Sequence, residues 1–155
     1  MQYLVLKALH IVSVVLFLGN IITGLFWKIH ADRTGDLRAR AQALDGIIQS
    51  DRVFTAPGVI LIIITGVMLA TTLHLPIFGT RWILWALILF GVSGVAFAVF
   101  VGPLQKKLLV NARAGLAGTW NEAEYHALSR AWALWGAIAT AAPLVALFLM
   151  VLKPA

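Results

Sequence analysis

The sequence predicts an all-α polytopic membrane protein, an antiparallel up-down-up-down bundle of four transmembrane helices. Two observations predict this fold class. Hydrophobic residues make up 61% of the chain and charged residues only 12%, whereas soluble domains are roughly 45–50% apolar and about 25% charged. In addition, four apolar stretches each reach the roughly 20 residues that a helix needs to cross a bilayer. We expect a single transmembrane domain over residues 1–155.

The four predicted spans are separated by two long connections and one short one. Strands are excluded, because apolar and polar residues do not alternate and an open sheet edge leaves backbone groups unpaired in hydrocarbon. The short connection holds Pro76 and Gly79, which predicts that the second and third helices are close antiparallel neighbours. The spans cover about residues 3–27, 53–75, 82–104 and 131–152, and the long connections cover residues 28–52 and 105–130.

Polar residues mark helix starts in both long connections. The residues after Asp36 form an amphipathic pattern, with their apolar side chains on one face of a helix. Asp36 is therefore predicted to be the N-cap of a helix that lies on the membrane surface or extends a span. Asn121 followed by Glu122 predicts the start of the last helix. Pro57 lies near the predicted start of the second span, where a missing backbone donor costs little.

The basic residues predict the orientation in the membrane. Nine Lys and Arg residues flank the long connections and three lie on the opposite side. The positive-inside rule then places the long connections in the cytoplasm and both termini outside. Helical spans indicate the bacterial cytoplasmic (inner) membrane. The net charge of +6 is thus a topology signal and an attraction to anionic membrane lipid, and no nucleic-acid partner is expected.

Several classes of chemistry find no support in the sequence. The chain has no cysteine, so a metal or haem would need histidine, carboxylate or methionine ligands. No nucleophile and base set, phosphate-binding loop or dinucleotide motif is present, and no catalytic residue can be assigned. All six acidic residues are predicted to lie outside the spans, which removes the usual coupling carboxylate of a transporter.

A polar stripe on the first span is the strongest functional signal. His10 is predicted to lie roughly 10 Å below the outer boundary, at 1.5 Å per residue, where an ionisable side chain is costly. Two interpretations remain: His10 binds a cofactor, or it stays neutral and hydrogen-bonds another helix. The stripe shares one helix face and comprises His10, Ser13, Phe17, Asn20, Thr23 and Gly24.

Residues near the outer ends of other spans are candidate partners of His10. His74 ends the second span, so ligation of a b-type haem by His10 and His74 is one option, although their predicted depths differ by something like 8 Å. Trp82 and Trp85 open the third span and are candidates to line the same pocket.

The chain resembles known membrane families over nearly its whole length. The pattern is similar to an uncharacterised bacterial four-helix membrane family, catalogued as a domain of unknown function. More distantly, it resembles the HemJ-type protoporphyrinogen oxidases and the CopD-type copper-resistance membrane proteins. In the HemJ-type family the first-span histidine is tied to haem or porphyrin binding, so the resemblance implies that role for His10 alone. The pattern consists of Leu6-Lys7-Ala8-Leu9-His10-Ile11, Gly19, Pro57-Gly58, Thr65-Gly66, Trp82 and Leu152-Lys153-Pro154.

One departure limits the resemblance to the oxidases. Their third span usually carries a lysine shortly after the tryptophan, whereas Trp82 is followed by Ile83-Leu84-Trp85-Ala86-Leu87. Porphyrinogen oxidation is therefore not expected.

The sequence leads to two functional hypotheses. In the first, the protein binds b-type haem, a porphyrin or a quinone in a redox role, with His10 as the metal ligand. In the second, it is a non-catalytic membrane scaffold without a cofactor, which assembles with itself or with another membrane protein. The expected cofactor-binding residues are His10, Ser13, Asn20, His74, Trp82 and Trp85.

Overall fold

The computed structural model describes residues 1–154, which form four long helices joined by short turns. All four are long and apolar enough to cross a membrane, and no strand occurs among the described residues. The predicted all-α class with four membrane-spanning helices is therefore confirmed. The helices are α1 (Gln2–Thr34), α2 (Leu37–Thr72), α3 (Arg81–Leu116) and α4 (Glu122–Leu152).

Side-chain caps confirm both predicted helix starts. Asp36 Oδ1 accepts the backbone N–H of Arg38 at 2.9 Å, and Asn121 Oδ1 accepts the backbone N–H of Glu124 at 3.1 Å. Gly35 ends α1 with a φ of 70°, a left-handed conformation that glycine adopts without steric cost. Because only residues 35 and 36 separate α1 from α2, the helix that follows Asp36 extends the second span rather than lying on the membrane surface.

Two π-helical turns interrupt α2 and α3, and they correct the position predicted for Pro57. The turns are Asp51–Thr55 and Phe97–Val101, and each is followed two residues later by a proline, Pro57 or Pro103. Proline has no N–H to return to the preceding turn, and a π turn changes the hydrogen-bond register where that donor is missing. Pro57 thus lies inside a helix of 36 residues and not near its start.

The helices pair differently in the two halves of the bundle. We call the half with the α1–α2 and α3–α4 turns the inner half, and the half with the two termini the outer half. In the inner half, Leu37–Ser50 packs against Gly102–Leu116 and α1 contacts α4. In the outer half, Ala56–Thr72 packs on α1 and Arg81–Ala96 packs on α4.

The two outer pairs of helices make no close backbone contact with each other within the described residues. The prediction that α2 and α3 are close neighbours is therefore correct only for the inner half. Beyond the π turns each helix pairs with a different partner, and residues 73–80 bridge the gap between their outer ends.

The core of the protein lies in the inner half. Leu44, Leu108 and Tyr125 are the largest side chains that are fully buried there. In the outer half, close packing depends on small residues: a Cβ added to Gly58 would lie 3.3 Å from the Phe17 Cβ atom. Most other apolar side chains of the outer half are exposed, as expected for a surface that faces lipid.

Candidate ligand cavity

A cavity of about 240 Å³ lies where the two outer helix pairs diverge. Its walls are mainly apolar, with aromatic rings from three helices, and polar side chains gather at its inner end. All four helices contribute lining residues, among them Phe17, Asn20, Asp51, Thr55, Phe90, Phe97, Gln105, Trp132 and Gly136.

The floor of the cavity is a carboxylate that three helices hold in place. Asn20 Nδ2 donates to Asp51 Oδ1 at 3.1 Å and to Thr55 Oγ1 at 2.9 Å. The Thr55 hydroxyl donates to Asp51 Oδ1 at 2.8 Å, and Gln105 Nε2 donates to Asp51 Oδ2 at 3.2 Å. Asp51 opens the π turn of α2, and such turns often occur at functional sites.

Sequence reasoning missed Asp51. It began the second span at Val53 and placed all acidic residues outside the spans, yet Asp51 lies within hydrogen-bond distance of Asn20, inside the bundle. The available signals were the amide of Asn20 in an apolar span and the spacing of Asp51 and Thr55, one helical turn apart on the same face. The structure therefore adds to the sequence-based prediction a carboxylate that bonds side chains of three helices.

Trp132 supplies an unbonded donor to the cavity wall. Its side chain is 5% exposed and its Nε1–H has no hydrogen-bond partner. A buried donor that stays unsatisfied costs roughly 1–3 kcal/mol. Trp132 itself is one of the residues that line the cavity.

The first-span stripe faces α2, and one of the two interpretations of His10 has direct support. His10 Nδ1 lies 2.8 Å from Thr65 Oγ1, while the Thr65 hydroxyl donates its own proton to the Leu61 carbonyl at 2.5 Å. The direction of the hydrogen bond between His10 and Thr65 is set by the tautomer of the imidazole. The Ser13 hydroxyl donates to the Leu9 carbonyl. His10 itself lies about 10 Å outward of Phe17 along α1 and does not line the cavity.

The remaining predicted site residues lie away from this cavity. His74 is exposed just beyond the end of α2, roughly 12 Å along the helix axis from Gly66, the residue that His10 packs against. Trp85 is 57% exposed. Neither Trp82 nor Trp85 lines the cavity. The structure thus brings Asn20 together with Asp51, but it does not assemble His10, His74 and the two tryptophans into one pocket.

No histidine lines the cavity, so the residues that form it offer no imidazole to a haem iron. The nearest predicted ligand, His10, lies outside the lining. Within residues 1–154, no group of three or more His, Asp or Glu side chains is placed to hold a metal ion.

A buried ionic cluster closes the inner half below the cavity. Lys28 is 3% exposed and its Nζ lies 2.5 Å from Asp32 Oδ2; it also donates to the hydroxyl of Ser129. The Tyr125 hydroxyl donates to Asp32 Oδ1 at 2.7 Å, and Arg40 donates to the Asp32 carbonyl at 3.1 Å. Two residues read from the sequence as topology signals, Lys28 and Arg40, therefore tie α1, α2 and α4 together.

A family model described as predicted integral membrane protein (DUF2269) matches residues 4–154. The chain belongs to the DUF2269 family. The match reaches into all four helices, so the expected membership in a four-helix membrane family is confirmed, and this DUF2269 chain is an integral membrane protein. Comparison with curated proteins and with solved structures gives no match. The more distant resemblance to the HemJ-type and CopD-type proteins stays a prediction.

Proposed function

We propose that this membrane protein binds the ring of a lipid-soluble quinone, oxidised or reduced, in the cavity between its outer helix pairs. The observation that carries the proposal is the indole of Trp132, which lines the cavity and whose Nε1–H has no partner. This N–H is covered by protein atoms in the structure, and on binding the ring reorients so that a quinone or hydroquinone oxygen accepts its proton.

The walls of the cavity suit a flat ring. The rings of Phe17 and Phe90 lie 5.6 Å apart between centroids and are tilted by 57°, and Phe97 adds a third aromatic surface. Aromatic rings prefer offset or tilted contacts at this range of distances. A volume of about 240 Å³ accommodates a single substituted ring, which is smaller than a typical drug-sized ligand.

The gap between the outer pairs suits the lipid tail of such a molecule. No close backbone contact joins Ala56–Thr72 to Arg81–Ala96. Gly91 and Gly94 have no side chain, and a Cβ added at either residue would meet no atom within 4 Å. A tail can therefore leave the cavity toward the membrane interior. Because quinones carry electrons, this proposal retains the redox role expected from the sequence and moves the binding site from His10 to the cavity.

A second candidate function is tetrapyrrole binding at His10, and one observation favours it. The hydrogen bond between Nδ1 and Thr65 orients the imidazole and leaves Nε2 free, which is how histidines that ligate metals are commonly held. This site would lie outside the cavity, on the outer part of α1, so the two candidates involve different residues.

Binding of a radiolabelled decyl-benzoquinone to the protein in lipid nanodiscs, measured by scintillation proximity, tests the first candidate. We expect saturable binding that Trp132→Phe weakens about fivefold, because one hydrogen bond of about 1 kcal/mol is lost. Trp85→Phe is the matched control, since Trp85 is 57% exposed, and it leaves the affinity unchanged. Equal effects of the two substitutions would refute the site.

An absorption spectrum of protein produced with haem precursor tests the second candidate. A Soret band that His10→Ala removes, together with no saturable quinone binding, would favour the tetrapyrrole. If neither ligand binds, the scaffold hypothesis is the one to pursue, by measuring the oligomeric state in nanodiscs.

A further inference from the structure

The floor of the cavity has an unused hydrogen-bond acceptor. An ionised carboxylate offers about four lone-pair sites and no donor. Asp51 Oδ1 accepts from Asn20 and from Thr55, which fills both of its sites. Asp51 Oδ2 accepts only from Gln105, so one site on Oδ2 remains, and Asp51 lines the cavity.

The side chains around Asp51 cannot supply the missing donor. The two amide hydrogens of Asn20 are already used, one on Asp51 and one on Thr55. The Thr55 hydroxyl proton is used on Asp51 itself. Gln105 Nε2 gives one N–H to Asp51 Oδ2, and its planar amide directs the other N–H away from that oxygen.

Asp51 also has no cationic neighbour. The ion pairs among residues 1–154 involve Asp32, Asp45 and Glu122, and no Lys, Arg or His approaches Asp51 within ion-pair distance. A buried carboxylate without a counter-ion depends on hydrogen-bond donors for its stability. A ligand that brings one more donor is therefore favoured over one that brings only acceptors.

We infer that the cavity selects the reduced, hydroxyl-bearing form of its ligand, a hydroquinone, over the quinone. This inference rests on the proposed function. A hydroquinone hydroxyl donates to Asp51 Oδ2 and fills its remaining site. A quinone carbonyl has no proton to donate and meets the Asp51 carboxylate with lone pair facing lone pair.

Three ligands of similar shape test the inference: decyl-hydroquinone, the corresponding quinone, and the dimethyl ether of the hydroquinone. Each dissociation constant is measured anaerobically in nanodiscs by displacement of the radiolabelled compound. We expect the hydroquinone to bind at least tenfold more tightly than the other two, because a site with an unmatched buried acceptor discriminates strongly against ligands that lack the donor.

Asp51→Asn should abolish this preference, since an amide offers its own N–H to a quinone carbonyl. Asp45→Asn is the matched control, because Asp45 lies on the same helix in an exposed pair with Arg113, and it should keep the preference. If Asp51→Asn does not yield folded protein, the three-ligand comparison on the unaltered chain still decides.

Two results would overturn the inference while leaving the proposed function intact. One is equal affinity for hydroquinone, quinone and ether. The other is displacement of the hydroquinone by a decylammonium ion at lower concentrations, which would make Asp51 a cation site. If none of the quinone-type ligands binds, the proposed function fails together with the inference.

Discussion

Removing the carboxylate of the inner ionic cluster should destabilise the protein more than any substitution of a surface charge. In Asp32→Ala, Lys28 loses the partner that lies 2.5 Å from its Nζ, and Tyr125 loses the acceptor of its hydroxyl at 2.7 Å. Lys28 is 3% exposed and Arg40 9% exposed, so neither cation can regain full hydration without opening the helix packing.

The size of the loss follows from this burial. Removing one partner of a buried ion pair costs roughly 3–5 kcal/mol, because the other charge stays buried and uncompensated. The Asp32 side chain is itself 28% exposed, which places the expected loss in the free energy of unfolding near the lower limit, at about 3 kcal/mol. Asp45→Ala breaks the exposed pair with Arg113 and should cost no more than about 1 kcal/mol.

The assay is reversible unfolding in mixed micelles, titrated with sodium dodecyl sulfate and followed by circular dichroism. Adding Lys28→Met to Asp32→Ala should recover most of the lost stability, because an apolar side chain of similar length removes the uncompensated charge. A loss below 1 kcal/mol for Asp32→Ala, or no recovery in the double variant, would refute the view that the cluster holds the inner half together.

Three further predictions concern the outer half and the orientation. Gly58→Ala should destabilise the protein by about 1–3 kcal/mol, because the new Cβ would lie 3.3 Å from that of Phe17. Gly46→Ala on the same helix is the control. Its Cβ would meet no atom within 4 Å, so the substitution should be neutral or stabilising in the same unfolding assay. His10→Ala and Thr65→Val should each lower the free energy of unfolding by about 1 kcal/mol. The double variant should lose little more than either single variant, because both substitutions remove the same hydrogen bond. Additive losses in this double-mutant cycle would exclude the coupling. Alkaline phosphatase fused after residue 155 should be active in bacterial cells, because the positive-inside rule places the C-terminus outside. A fluorescent protein that folds only in the cytoplasm should stay dark when it is fused at the same residue. The reverse pattern would overturn the orientation.

The fold class was accessible from the sequence because the membrane imposes it. Apolar stretches of span length can satisfy their backbone groups in hydrocarbon only as helices, and the caps at Asp36 and Asn121 are local signals that tertiary packing did not override. The π turns could not be predicted from the sequence. Pro57 and Pro103 are compatible with a helix start, a kink or a π turn, and the choice depends on which helices pack on either side.

The candidate site was only partly predictable for the same reason. The stripe on α1 identified Asn20 as a polar side chain that faces another helix, but its partners Asp51 and Thr55 come from α2, more than thirty residues away in the chain. Gln105 of α3 joins this group through Asp51. Asp51 looked like part of a solvated connection because hydropathy averages over neighbours such as Arg52. Only the packing shows that Trp132 is buried and that its N–H lacks a partner.

Because of the gap between the outer helix pairs, the surrounding bilayer influences the shape of the cavity. In the inner half the helices pack against one another, whereas beyond the π turns no backbone contact joins Ala56–Thr72 to Arg81–Ala96, and the Phe17 and Phe90 rings meet across the gap. Acyl-chain length and lateral pressure therefore act on the width of the gap, since a mismatch in thickness is accommodated by helix tilt. Under the proposed function, ligand affinity would depend both on the residues of the cavity and on the lipid composition, so a change of membrane alone would alter occupancy.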